Sequence, residues 1–79
     1  MKGREDVEQW KMIVSGLDSQ ESGKKILQAL ESVWGINKAE IDIKHREASF
    51  SYDSRMASRQ DFEQAILDLG YGIESNEQQ

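Results

Sequence analysis

Cysteine is absent from the 79-residue chain, which excludes disulfide bonds, thiolate metal ligands and cysteine nucleophiles. Proline is absent as well. No apolar run approaches the ~20 residues that a membrane-spanning helix needs, and the N-terminus lacks the apolar segment of a signal peptide. We therefore expect a cytoplasmic protein that does not insert into membranes.

An excess of basic residues is also lacking. The net charge of −5 and the pI near 4.8 argue against a nucleic-acid partner, which requires a basic surface to neutralise phosphates. The chain has neither a histidine beside a plausible nucleophile nor a glycine-rich phosphate loop, so we predict that it is not an enzyme.

The length and composition indicate one globular domain. With 37% hydrophobic and 32% charged residues, the chain does not have the composition of a disordered protein. We predict a frayed N-terminal segment over residues 1–8, one domain over residues 9–75, and a polar tail over residues 76–79.

The first half of the domain has the pattern of a strand followed by a helix. The apolar, β-branched run 12–14 predicts a strand over residues 9–15. Either Asp18 or Ser19 can cap the next helix, and Glu21 follows Asp18 at capping-box spacing. The helix is predicted over residues 19–34, with Gly35 just past its end. Its apolar face is expected to contain Ile26, Leu27, Leu30, Val33 and Trp34.

The second half contains a hairpin, a helix and a short strand. Apolar and polar residues alternate over 39–44 and again over 48–52, so these segments predict two strands joined by a turn near residues 45–47. Ser58 and Asp61 form a second capping-box pattern, and a helix is predicted over residues 58–69, followed by a strand over 71–74. The helix face contains Phe62, Ala65, Ile66 and Leu69.

The order β-α-β-β-α-β predicts an α+β, ferredoxin-like sandwich, in which one four-stranded antiparallel sheet has both helices on one face. Right-handed crossovers give the strand order 4-1-3-2. Met12, Phe50 and Tyr52 are expected in the core, and Met56 in a loop. Both tryptophans, Trp10 and Trp34, are expected to pack against other residues.

Several residues of the chain also match the sequence pattern of a known protein family. The chain resembles the heavy-metal-associated domain of copper chaperones and of metal-transporting P-type ATPases. The resemblance covers residues 11–73, and the residues that support it are Gly16, the pair Ala29-Leu30, Gly35-Ile36, the segment 50–53, Ala65-Ile66 and Gly70-Tyr71. It implies the same fold, and a site at the turn between the first strand and the first helix.

At that turn the chain departs from the family pattern Gly-Met-x-Cys-x-x-Cys. Ser19 and Ser22 occupy both cysteine positions, and Leu17 replaces the methionine. A serine hydroxyl stays protonated at neutral pH and is a hard, weak donor, so it does not replace a thiolate as a ligand for Cu(I). We predict no metal site and no cofactor. Asp18 and Glu21 are too few for a hard cation, and His45 is expected to be polar surface.

Two functional hypotheses follow from the resemblance. In the first, the domain has lost its ion and acts as a protein-interaction module in a metal-transport pathway, docking against a related metal-binding domain or a transporter domain, as a monomer or weak dimer. The interaction loop comprises Leu17, Asp18, Ser19, Gln20, Glu21, Ser22, Lys25 and Tyr71. In the second, the chain is a Cys-to-Ser variant of a heavy-metal chaperone or of a P-type ATPase N-terminal domain.

Overall fold

A computed structural model describes residues 6–78, with only the backbone described for Glu77 and Gln78. Its elements follow the predicted order βαββαβ. Their bounds are β1 Val7–Ser15, α1 Gln20–Glu31, β2 Ile36–Asp42, β3 Glu47–Asp53, α2 Arg59–Leu67 and β4 Gly72–Gln78.

The four strands form one antiparallel sheet in the order β2-β3-β1-β4. This is the predicted order 4-1-3-2 read from the other edge. In the register, Trp10 of β1 lies opposite Phe50 of β3, and Phe50 lies opposite Ala39 of β2. Because side chains alternate between the two faces of a strand, this register places one apolar face of the sheet against the helices.

The core lies between that face and the two helices. Phe62 of α2 is fully buried, and its ring centroid lies 4.5 Å from that of Phe50 and 4.9 Å from that of Tyr52. The other buried apolar side chains of the core are Met12, Val14, Leu17, Ile26, Leu30, Ala48, Ala57 and Ile66. This arrangement confirms the predicted ferredoxin-like sandwich and the core positions of Met12, Phe50 and Tyr52.

The strand directions place the connections at two ends of the molecule. At one end, which we call the loop end, lie the β1–α1 turn (16–19), the β2–β3 turn (43–46) and the α2–β4 turn (68–71). At the other, the far end, lie the α1–β2 connection (32–35) and the β3–α2 connection (54–58). A hydrogen bond from Val14 N to Arg46 O (2.8 Å) holds the loop end together, and one from Asp53 N to Gly35 O (3.0 Å) holds the far end.

Both helices end earlier than predicted. Helix α1 stops at Glu31, with Ser32 as its C-cap and Gly35 at a φ of 95°. Trp34 therefore lies outside the helix, is 76% exposed, and does not belong to the apolar face. Leu69 was likewise wrongly placed on a buried face, because α2 ends at Leu67 and Leu69 is 42% exposed in the turn that follows.

The first strand of the chain begins earlier than predicted, and the last strand ends later. Strand β1 begins at Val7, two residues before its predicted start, while residues 1–5 of the segment expected to fray lie outside the described residues. Strand β4 continues to Gln78, which lies opposite Trp10 in the sheet. The pairing depends on backbone groups, so the polar side chains of 74–78 did not signal it.

No helix in the described part of the chain is long and apolar enough to cross a bilayer. The longer of the two, α1, has 12 residues.

Candidate functional site at the loop end

The β1–α1 turn is fixed by one glycine and one buried leucine. Gly16 adopts a φ of 95°, a conformation that side-chain-bearing residues rarely adopt. Leu17 is fully buried, and its N–H donates to Val14 O at 3.3 Å. Leu17, which was predicted to contact a partner, therefore packs in the core and holds the loop against it.

Ser19 is the N-cap of α1, as one of the two predicted alternatives had it. Its side chain accepts from Ser22 N at 3.2 Å, while the Ser22 hydroxyl accepts from Ser19 N at 3.1 Å. This is a reciprocal capping box made by the two serines at the family's cysteine positions. The alternative box of Asp18 and Glu21 was wrong, because the first residue of that pair precedes the cap.

The hydrogen-bonding capacity of the Ser22 hydroxyl is fully used. It accepts from Asp18 N at 3.2 Å in addition to Ser19 N, and it donates to Ser19 O at 3.0 Å. A serine hydroxyl offers one hydrogen and two acceptor lone pairs. Ser22 is buried, so an incoming ion would have to displace these internal bonds without gaining an anionic ligand.

Tyr71 packs against the glycine of the loop. A β-carbon built on Gly16 would lie 2.7 Å from Cδ1 of Tyr71, so the ring rests directly on the loop backbone. Tyr71 is half-buried and also packs against the core. The structure thus brings Tyr71 together with the β1–α1 turn, although 55 residues separate Tyr71 from Gly16.

The remaining members of the predicted interaction loop lie on the surface. The side chains of Asp18, Ser19, Gln20, Glu21 and Lys25 are exposed, whereas Leu17 and Ser22 are buried. Together with the accessible part of Tyr71, the five exposed residues form the surface that a partner can reach. We call these six residues the docking surface.

The residues present do not fit a soft metal ion. No group of three or more His, Asp or Glu side chains among those that the structure describes, in residues 6–76, is arranged to hold a metal, and sulfur ligands from cysteine do not exist in this chain. The two hydroxyls at the family's ligand positions are neutral and bonded to the helix terminus.

His45 lies at the tip of the β2–β3 turn, exposed as predicted. Its Nδ1 is 2.8 Å from Oδ2 of Asp42. The hydrogen bond and the charge of Asp42 raise the pKa of His45 above its usual value, and the same bond lowers the pKa of Asp42. Protonation of His45 therefore strengthens its bond to Asp42 at the tip of the β2–β3 hairpin.

Comparison with known proteins identifies the family. Residues 11–72 match the heavy-metal-associated domain, and the chain belongs to that family. No curated protein sequence matches the chain.

Three solved structures illustrate the shared fold. A CopZ metallochaperone is 23% identical, with a TM-score of 0.79 over 82% of this chain and 97% of the other. Oxidized MerP from Ralstonia metallidurans CH34 is 21% identical, with a TM-score of 0.81 over 87% and 99%. A copper binding domain from the P-type ATPase HMA7 is 22% identical, with a TM-score of 0.80 over 89% and 97%. Each of these three proteins shares the fold of this chain.

Sequence reasoning missed two features of the molecule. The reciprocal serine box was signalled by the Ser-x-x-Ser spacing at the helix start, although the box is usually read with Glu or Gln in its fourth position. The exposed Trp34 had no such signal, because its spacing continues the helical period past the true end of α1.

Proposed function

We propose that this heavy-metal-associated domain acts by binding another protein through its docking surface, without a metal ion of its own. The observation that carries the proposal is the closed hydrogen-bond network of Ser19 and Ser22. This network holds the turn that carries the ion in the family in one conformation. Because both hydroxyls are bonded to backbone groups, the turn is suited to contacting a protein and not to coordinating an ion.

The partner class we propose is a related metal-binding domain or a transporter domain in a metal-transport pathway. Similar structures include a metallochaperone and a domain of a P-type ATPase, and both kinds of protein belong to such pathways by their names. The docking surface carries side chains of both signs, with Asp18 and Glu21 beside Lys25. Charges of both signs fix the register of an interface more than they add affinity.

The proposal is tested by mapping amide shifts on the ¹⁵N-labelled chain during titration with a metal-binding domain of a P-type ATPase. We expect shifts at residues 16–25 and 70–72. Lys25→Glu should weaken binding by about tenfold if the lysine pairs with a carboxylate of the partner. Lys38→Glu, a charge reversal on β2 outside the docking surface, is the matched control.

The outcome that contradicts the proposal is a shift map that leaves residues 16–25 and 70–72 unchanged, or that centres on another part of the molecule. Equal effects of the two charge reversals would also contradict it, because they would reduce the interaction to net charge.

A further inference from the structure

The far end of the molecule carries an exposed apolar surface that is separate from the docking surface at the loop end. Trp34 is 76% exposed and Met56 is 46% exposed. Both line a groove of about 530 Å³, together with the half-buried side chains of Val7, Val33 and Ile36. A contiguous exposed apolar patch with a polar rim marks an interaction site, whereas single scattered apolar residues do not, and here Trp34 and Met56 line one groove. Tryptophan in particular is enriched among the residues that dominate binding energy.

The charged groups around this groove favour a cation. Its lining contains the carboxylates of Glu31 and Asp53, and within the described residues no lysine, arginine or histidine. Arg55 lies nearby but is held by two carboxylates, at 2.9 Å from Asp53 and 3.4 Å from Asp6. Glu31, Asp53, Asp6 and Arg55 together carry a charge of −2.

The end of α1 adds to this negative potential. Glu31 is the last residue of the helix, and the last turn contains no basic residue. The carbonyl groups at a helix C-terminus carry a partial negative charge that attracts cations. Glu31 and Trp34 line the same groove, so a π face, a carboxylate and a helix C-terminus occur together there.

We propose that the far-end groove binds an extended basic segment of another protein. An apolar side chain of the segment enters the groove beside Met56, and a lysine or arginine lies over Trp34 with Glu31 as its counter-ion. The chain contains the same arrangement internally, since Arg59 lies 5.0 Å from the ring centroid of Trp10 and pairs with Glu63.

The charge of the far end favours a basic segment over a second copy of the chain. In a two-fold contact between copies the same surface meets itself, so the −2 charge of one far end would face the −2 charge of the other. The chain as a whole also carries a net charge of −5. A basic segment instead brings the opposite charge to the groove.

The test is a titration of the full ¹⁵N-labelled chain with the peptide acetyl-Gly-Leu-Arg-Leu-Arg-Gly-amide. We expect saturable shifts of the Trp34 indole and of the amides of 31–37 and 53–56. A peptide with glutamine in place of both arginines tests the charge. A peptide with serine in place of both leucines tests the groove. Both should bind at least about tenfold more weakly, as for loss of an interface anchor.

Variants of the chain place the interaction at named side chains. Trp34→Ala should weaken binding by about tenfold, and Glu31→Gln by a factor of about three, since exposed charge pairs contribute less. Leu67→Ala and Glu40→Gln remove an exposed apolar group and an exposed carboxylate elsewhere. These matched controls should leave the affinity unchanged.

Four outcomes would overturn the proposal. The first is no saturable shift at Trp34 up to about 1 mM peptide, and the second is equal binding of the glutamine peptide. The third is a Trp34 signal that depends on protein concentration without peptide, which would identify a second copy as the occupant. The fourth is a Trp34 signal altered in the free protein by Lys2→Gln with Arg4→Gln, which would identify the chain's own N-terminal residues.

Discussion

At the scale of single residues, the loop end depends on close contact between a glycine and an aromatic ring. Gly16 has a positive φ and lies beneath Tyr71, whose Cδ1 would be 2.7 Å from any β-carbon added there. Gly70 has nearly the same φ, 94°, but open space around it. Substitutions at these two glycines therefore separate the energetic cost of backbone strain from the cost of a clash with Tyr71.

Gly16→Ala should destabilise the protein by about 2–3 kcal/mol, since it adds a clash with Tyr71 to the strain of a left-handed residue. Gly70→Ala should cost about 1 kcal/mol, from backbone strain alone. Urea unfolding of both variants measures the difference. Equal losses would mean that the ring does not rest on the glycine.

At the scale of elements, the start of α1 is stabilised by its own two serines. Ser22 accepts two backbone N–H groups, and Ser19 accepts one. Ser22 N belongs to the first turn of the helix and Ser19 N to its cap, and neither has a partner inside the helix itself. The N-terminus of α1 therefore supports the docking surface by holding its backbone in one conformation.

Ser22→Ala should lower the free energy of unfolding by about 1–2 kcal/mol, and Ser19→Ala by about 1 kcal/mol. The double variant should lose less than the sum, because both hydroxyls belong to one box. Ser75→Ala, an exposed serine on β4, is the control and should stay within about 0.5 kcal/mol of the parent. Strict additivity would argue against the reciprocal box.

The tip of the β2–β3 hairpin should respond to pH. The folded-state pKa of His45 is raised from 6.5 by the bond to Asp42 and by its charge. A raised histidine pKa contributes stability that is fully present below pH 6.5 and is lost as the pH rises through the folded-state value. Asp42, with its lowered pKa, contributes stability above pH 3.8 that is lost at more acidic pH.

We expect His45→Asn to remove the decline in stability above pH 6.5, as measured by urea midpoints across that range. In the parent chain, an NMR titration should give a His45 pKa above the usual value, and Asp42→Asn should bring it back. A His45 pKa that is unaffected by Asp42→Asn would contradict the pairing.

At the scale of the whole molecule, the two ends differ in character. The loop end has a capped helix start and charges of both signs, whereas the far end exposes Trp34 beside Glu31. Trp10 lies between the ends on the helix-covered face, half-buried beneath Arg59. The two tryptophans therefore report on different environments.

The fluorescence of single-tryptophan variants should separate these environments. In Trp10→Phe, the remaining Trp34 should emit at long wavelength in the folded state and change little on unfolding. In Trp34→Phe, Trp10 should show a clear red shift on unfolding. A buried, blue-shifted Trp34 would contradict the far-end surface on which the further inference depends.

The sequence predicted the element order, the sheet order and most of the core, because alternation in the strands and the spacing of Ile26, Leu30, Phe62 and Ile66 follow directly from burial on one face. It predicted the helix ends less well. Gly35 has the residue type that a left-handed position past a helix end requires, but Val33 and Trp34 continue the apolar period without belonging to the helix. Periodicity alone does not show where hydrogen bonding stops.

For the candidate site, the sequence predicted which residues share the loop end, but not how they are bonded. The resemblance placed Tyr71 and the β1–α1 turn together, and in the structure the ring of Tyr71 lies against Gly16. The burial of Leu17 and the bond that Ser22 accepts from Asp18 N depend on the three-dimensional course of the turn, whereas the Ser-x-x-Ser spacing does indicate the bond that Ser22 accepts from Ser19 N.

The central claim is that two alcohols cannot take the place of two thiolates at the β1–α1 turn. The most direct test is competition for Cu(I) against a chelator of known affinity, with the parent chain and the double variant Ser19→Cys with Ser22→Cys measured side by side. We predict that the parent chain takes up no copper in competition and that the cysteine variant binds one ion per chain. Tight one-to-one uptake by the parent chain would contradict the account.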